Sequence, residues 1–554
     1  MKTIQANSIY RLLFFLILAV YCLFTARYGF ETWDTGYIPS FSWRIANGQH
    51  VYTDFIYKGP PITLYFQAVF MQILPESGQF YFIKIANYLM FSLQVYLTVL
   101  SFFNFYKKEI LFNKWALMIL SLMISLLNFS AYPWPTTDGL FFSVIALYTI
   151  SKNEKINILK LFWISFLCLL STFTKQSFYL IPLCFLFGIY FYYGWQKAII
   201  FFLCLIAAFS LFFLWIYSVS SIEAFWDQTS GQTHFKDLLF SGFLDYFWTY
   251  PNKIIIFSLL GFSIILLFYI PKKKEINWTE FTKNLALILF LFSLALCFFF
   301  EFLIASRVAF LACVIMLINK VIFQKESIRL YIPIILSLSL AWSCSISMGY
   351  PFPILFSTGI ILSLIVLFKS EIQTIYSSRL FILIGSILCI FAYSYNLKPY
   401  REEHFSQLNY SLDKISPKLK YINTSKETFE KLQELKNLIR EYGSNYIVAP
   451  NFPMTHYVFN TQSVLPADWI LNTEVNRNPE LFIRLAAKKE NFIFLEKTFL
   501  EGEEFMYDHK ENFSIISLYI YENFKKIGET KYFLLYNTQE KNTPMPTIER
   551  RPIH

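Results

Sequence analysis

Between two apolar runs the sequence places the aspartates Asp34 and Asp54, one lysine, Lys58, and the rigid pair Pro60-Pro61, all within ETWDTGYIPSFSWRIANGQHVYTDFIYKGPP, residues 31–61. An aspartate held within hydrogen-bond reach of a hydroxyl can take its proton. A lysine ammonium is a compact point charge that can hold a phosphate. Acids and a base on a Pro-anchored loop form a pattern suited to chemistry, because loops on rigid scaffolds carry function. Each residue also has a plain structural reading. Asp34, in Trp33-Asp-Thr-Gly36-Tyr37, suits a helix N-cap. Asp54, in Tyr52-Thr-Asp-Phe55, suits a turn.

Further along, Asp138 follows Thr136-Thr137 and opens an apolar run, and Lys175 sits in the short turn Thr174-Lys-Gln-Ser177. Their structural readings are a helix cap and a lysine whose amine reaches out to the interface. In the topology derived below, these residues gather on one membrane face with Glu223, Asp227, His234, Lys236, Glu301 and Arg307. Ionisable groups at a membrane boundary mark functional sites when they face a cavity. A transporter would set such groups near the midplane on broken helices. The mid-span regions here are almost free of charge, which favours an interfacial enzyme over a carrier.

The elements that must position these residues follow from composition. The chain has 554 residues, 56% hydrophobic, 20% aromatic and 15% charged, where soluble proteins carry roughly a quarter charged residues. Apolar runs of the ~20 residues a bilayer-spanning helix needs recur along it. The net charge of +10 fits basic cytoplasmic loops, and no nucleic-acid-binding motif accompanies it. The eight cysteines, from Cys22 to Cys389, all fall in apolar runs. None has a metal-ligand spacing, so they read as small buried hydrophobes.

Lys2 and Arg11 precede the apolar run Leu12–Phe24. This resembles a signal peptide, but FTARYGF has no small-x-small cleavage site, so the run reads as an uncleaved first span. Further runs centre near residues 92, 122, 144, 166, 185, 208, 261, 292, 313, 338, 360 and 386. By the span-length rule that makes about thirteen spans. With the N-terminus inside, lysine-rich loops such as Lys107-Lys108, Lys152–Lys160 and Lys272–Lys274 fall inside, and PWPTTDG and SMGYPFP fall outside, as the positive-inside rule requires. Splitting 159–193 into two short spans around Thr174–Ser177 is essential to that alternation.

The expectation is therefore an all-α polytopic membrane domain over 1–395, with a first outer loop over 27–78, and a C-terminal extracytoplasmic α/β domain over 396–554. In the latter, Thr424-Ser-Lys-Glu427 has the capping-box pattern. Phe429, Leu432, Leu435, Leu438 and Ile439 then recur at helical spacing, and Gly443 stops the run. Asn445–Ala449, Asn491–Leu495, Ser514–Tyr521 and Tyr532–Tyr536 read as strands. Asn451-Phe-Pro-Met-Thr-His456 and Pro466-Ala-Asp-Trp469 read as Pro- and aromatic-bearing loops, either turn structure or acceptor-holding loops that face the membrane domain.

The first loop resembles that of the GT-C glycosyltransferase superfamily, in the branch containing protein O-mannosyltransferases and the lipid A aminoarabinose transferase. The matching text is Asp34-Thr-Gly-Tyr37, Gly48-Gln-His-Val-Tyr52-Thr-Asp54-Phe55 and Lys58-Gly-Pro60-Pro61, with Thr137-Asp138 before a later span. The likeness covers about the first two hundred residues by motif and the rest by topology. It implies transfer of a sugar from a polyprenyl-phosphate donor to a glycan, lipid or protein acceptor at the outer face of a bacterial cytoplasmic membrane, with inversion. Asp34 would be the general base, Lys58 and Lys175 the phosphate partners, and Tyr37 and His234 acceptor contacts. In the family a second acid often follows the first, and Thr35 stands there instead. A divalent metal, as an optional cofactor, would have to recruit Asp54 or Asp138. The rival classes are a lipid-linked glycan flippase or transporter and an O-antigen polymerase- or ligase-like protein. Against the latter, Ser221–Tyr250 contains His234 but no arginine.

Overall fold

In the computed structural model, the described residues are 2–107, 109–110, 112–127, 132–152, 155–230, 277–346, 352–371, 378–450, 452–463, 465–471, 474, 482–483, 491–497 and 515–541. They are mostly helical. Seven helices among them are long and apolar enough to cross a membrane: Asn7–Arg27, Gln79–Phe105, Gln176–Tyr193, Trp195–Val219, Trp278–Phe298, Phe302–Phe323 and Ile328–Ser345. The chain is thus a membrane protein. Other runs expected to span form shorter helices, Lys114–Ser125, Ile158–Thr172, Pro353–Leu367 and Ile382–Asn396, and Pro135–Ser151 covers the run near 144. The run near 261 lies outside the described residues. Between 159 and 193 the helix breaks where Thr174–Ser177 stands: Ile158–Thr172 ends, a single 3-10 turn covers Gln176–Phe178, and a new helix runs Ile181–Tyr193.

The chain divides into two compact units. The first comprises Met1–Arg27, Ile83–Ile216 and Ser230–Phe405. Small hydroxyl side chains let its helices approach closely, as in membrane bundles. The Ser143 and Ser171 hydroxyls lie 2.7 Å apart, and Ser171 Oγ also donates to the Gly139 carbonyl at 2.9 Å. A Cβ on Gly139 would sit 2.5 Å from Thr174 Oγ1, so glycine is required for that approach.

The second unit comprises Tyr28–Phe82, Tyr217–Thr229 and Ser406–His554. The segment expected as a loop over 27–78 is helical in two stretches, α1 (Asp34–Ala46) and α2 (Ile62–Ile73). A third short helix, α3 (Ile222–Thr229), is tied to the intervening chain. Gln228 accepts from Tyr57 N at 3.0 Å and donates to the Tyr52 carbonyl at 2.7 Å.

In the C-terminal part, α4 (Lys426–Tyr442) ends at Gly443 as expected, but its cap is Ser425, one residue later than the capping-box pattern placed it. Ser425 Oγ accepts from Thr428 N at 3.3 Å. A mixed four-stranded sheet holds β1 (Tyr446–Ala449), β2 (Phe492–Glu496), β3 (Phe524–Glu529) and β4 (Phe533–Lys541) in the order β1-β2-β4-β3. The β1–β2 pair is parallel and the others antiparallel.

Two strand expectations need correction. The strand expected over Ser514–Tyr521 is a helix where the chain is described: Ile515–Asn523, here α5, buries Ile516, Tyr519 and Ile520 against the sheet core. Those positions have helical i, i+3, i+4 spacing, which the short apolar run concealed. The edge strand β3, FKKIGE, escaped notice because its charges mask the period-2 pattern, as edge strands commonly do.

Candidate functional site

Asp34 is the first residue of α1 and is half-buried. The N-cap position of α1 is Trp33 rather than Asp34, and the Trp33 side chain makes no cap hydrogen bond. The backbone donors at the helix start are taken by Glu31, whose Oε1 accepts from Trp33 N at 2.9 Å and whose Oε2 accepts from Thr35 N at 3.1 Å. A carboxylate at a helix start also meets the positive end of the dipole. The capping reading of Asp34 is therefore replaced by a capping role for Glu31, a residue the sequence analysis passed over.

One turn on, Tyr37 is buried among Phe41, Tyr57 and Trp469, with ring centroids at 5.3, 6.1 and 5.2 Å. Its hydroxyl donates to Glu474 Oε2 at 3.0 Å. Lys58 forms an ion pair with the other oxygen of the same carboxylate, Glu474 Oε1. Tyr37 and Lys58 thus converge on one anion. Burial first, and the Glu474 charge next, push the Tyr37 hydroxyl well above its ordinary pKa, so it remains a donor.

Asp54 is exposed and closes a turn. Its Oδ2 accepts from His50 N at 2.6 Å, and its own N–H donates to the His50 carbonyl at 2.9 Å. The structure supplies Asp54 with the turn role.

The first unit holds Asp138 and Lys175. Asp138 is buried on the opening turn of the helix Pro135–Ser151, whose N-cap position is Trp134. It therefore lies a turn inside the helix rather than at its cap. Lys175 does not reach outward. Its amine donates to the Ile346 carbonyl at 2.8 Å and to Thr136 Oγ1 at 3.2 Å, and burial lowers its pKa to about 8. Arg307 is fully buried in the same unit, with its guanidinium 4.4 Å from the centre of the Phe352 ring. His234 lies outside the described residues.

The strongest polar cluster of the second unit was missed from sequence. Arg44 on α1 is buried and binds Asp468 through two arms, with Nη2 also donating to the Leu465 carbonyl at 2.7 Å. His456 lies beside this pair, its Nδ1 2.8 Å from Thr461 Oγ1 and its ring stacked on Tyr446 at 4.7 Å. Nearby, Lys418 Nζ sits 3.4 Å from the centre of the Trp43 ring and donates to the Tyr457 carbonyl at 3.1 Å. Both C-terminal loops singled out from sequence pack on α1 within this unit: a Cβ on Gly36 would lie 2.8 Å from Met454 Cβ, and Asp468 takes Arg44. One signal was legible, since an arginine in an apolar helix needs a buried acid. Nothing local marks Glu474.

Among the described residues, no three His, Cys, Asp or Glu side chains gather as a metal site would require.

Fold and site together define a helix-rich membrane protein with a smaller α/β unit that holds the acid- and lysine-bearing segment. No family model and no curated protein matches the chain.

Proposed function

We propose that this chain is a membrane glycosyltransferase of the GT-C type, moving a sugar from a polyprenyl-phosphate donor to a cell-envelope acceptor. The observation that carries the reading is the placement of Asp34. It is half-buried at the start of α1, and Tyr37 one turn on shares an anion with Lys58.

In the reaction, the acceptor oxygen attacks the anomeric carbon as the bond from that carbon to the phosphate oxygen breaks, with inversion. Asp34 takes the acceptor hydroxyl's proton. Lys58 offsets the negative charge that grows on the departing phosphate. Lys175 is a second candidate for that role. The wider reading keeps about thirteen spans by the length rule, an inside N-terminus and an extracytoplasmic C-terminal domain in a bacterial cytoplasmic membrane.

The direct test is transfer from a radiolabelled polyprenyl-phosphate sugar in membranes. Asp34→Asn keeps size but cannot accept a proton at neutral pH, so transfer should fall about 10²–10⁴-fold at normal expression. Wild-type transfer by this variant removes Asp34 from the chemistry.

A further inference from the structure

We propose that Tyr37 and Lys58 form a two-donor anion site which the chain fills with its own Glu474, and that a phosphate monoester gains this site by displacing that carboxylate. The inference rests on the reading of Lys58 as a phosphate partner and adds a regulatory occupant to it.

Three features support it. The two donors go to different oxygens of one carboxylate, Tyr37 to Oε2 and Lys58 to Oε1. A phosphate presents neighbouring oxygens in a comparable way and carries more charge. The pair is also unevenly buried, with the Lys58 side chain 27% exposed and that of Glu474 9%. The lysine therefore keeps an open side that an incoming anion can reach, and the carboxylate is the more buried partner. Finally, Tyr37 and Lys58 lie on elements fixed by other contacts. Tyr37 is held in α1 by its aromatic neighbours, and the chain before Lys58 is held by Gln228 and by Ile56 N donating to the Pro466 carbonyl at 2.7 Å. The donors are set in advance, and the anion is the exchangeable part.

A self-occupied site lowers apparent affinity by the fraction of time it is open. If Glu474 holds it about nine-tenths of the time, removing its charge should tighten phosphate binding about tenfold. The experiment uses the full chain in detergent and measures binding of farnesyl phosphate, inorganic phosphate and farnesol. Glu474→Gln should tighten farnesyl phosphate about tenfold, leave farnesol unchanged, and lose its effect when combined with Lys58→Ala. Tyr37→Phe should weaken farnesyl phosphate in the Glu474→Gln background. Should Glu474→Gln fail to fold, Glu474→Asp, which shortens the reach but keeps the charge, is expected to tighten binding in the same direction.

An equal gain for inorganic phosphate supports the displaced carboxylate and assigns the site to free phosphate. Unchanged or weaker binding in both Glu474 variants, while Lys58→Ala alone weakens farnesyl phosphate, overturns the displacement and leaves the Lys58 role standing. Insensitivity to Lys58→Ala overturns both.

Discussion

Arg44 and Asp468, 424 residues apart in the chain, meet as a two-pronged ion pair with 2.6 Å on each arm. Both side chains are almost fully buried. The pair fastens α1, the helix that begins with Asp34, to the C-terminal part of its own unit. Breaking one partner of such a pair leaves an uncompensated buried charge and costs about 3–5 kcal/mol. Arg44→Ala and Asp468→Asn should each destabilise the second unit by that order. Replacing both together with Arg44→Met and Asp468→Leu should cost much less, because no charge is left stranded. Limited proteolysis and thermal unfolding of the purified variants check this, and a double replacement as damaging as the single ones would contradict it.

Glu31 rather than Asp34 caps α1, so the two acids should separate in mutagenesis. Asp34→Asn should reduce transfer with little change in thermal stability. Glu31→Ala should reduce stability by about 0.5–2 kcal/mol, the usual cost of a lost cap, and Glu31→Gln should recover part of it through its remaining acceptor oxygen. Stability and transfer measured side by side for the three variants test the division of roles.

His456 sets a pH dependence. Burial lowers its pKa from 6.5 to about 4, with Asp468 pulling the other way and Arg44 adding to the fall. The folded state therefore binds fewer protons than the unfolded state between those values. Stability rises with pH wherever the unfolded chain binds more protons, so the His456 contribution is complete above about 6.5 and is lost progressively as pH falls towards the folded value. Burial alone would raise Asp468, but Arg44 outweighs it and holds the carboxyl below its ordinary range. That second loss belongs at still lower pH. Denaturation midpoints measured from pH 7 to pH 4.5 should fall steadily for the wild type, and His456→Gln should flatten the curve.

Gly36 is needed for close approach. A Cβ there would come within 2.8 Å of Met454 Cβ and 3.3 Å of Met454 N. These atoms are backbone or adjacent to it, so no side-chain rotation relieves the clash. Gly36→Ala should destabilise the second unit by about 1–3 kcal/mol, as overpacking does. Met454→Ala keeps the offending Cβ and should not rescue it, which thermal unfolding of the double variant checks.

The proposed orientation has its own test. A reporter active only outside the cytoplasm, fused after Asn396, should be active. Activity of a cytoplasmic reporter at that point would reverse the topology.

What the sequence determined by itself is what local physics decides. The long apolar runs of Trp195–Val219 and Phe302–Phe323 require a bilayer because of their length and composition. The break at Thr174–Ser177 and the stop at Gly443 are local backbone events, and they fall where the residues place them. Tertiary structure decided everything that depends on a distant partner. Arg44 finds Asp468, and Lys58 and Tyr37 find Glu474 more than 400 residues away, because buried charge must be paired wherever the fold brings an opposite charge. The same holds for Ile515–Asn523. A nine-residue apolar run satisfies a strand or a helix equally well by pattern, and only packing of Ile516, Tyr519 and Ile520 against the neighbouring sheet selects the helix.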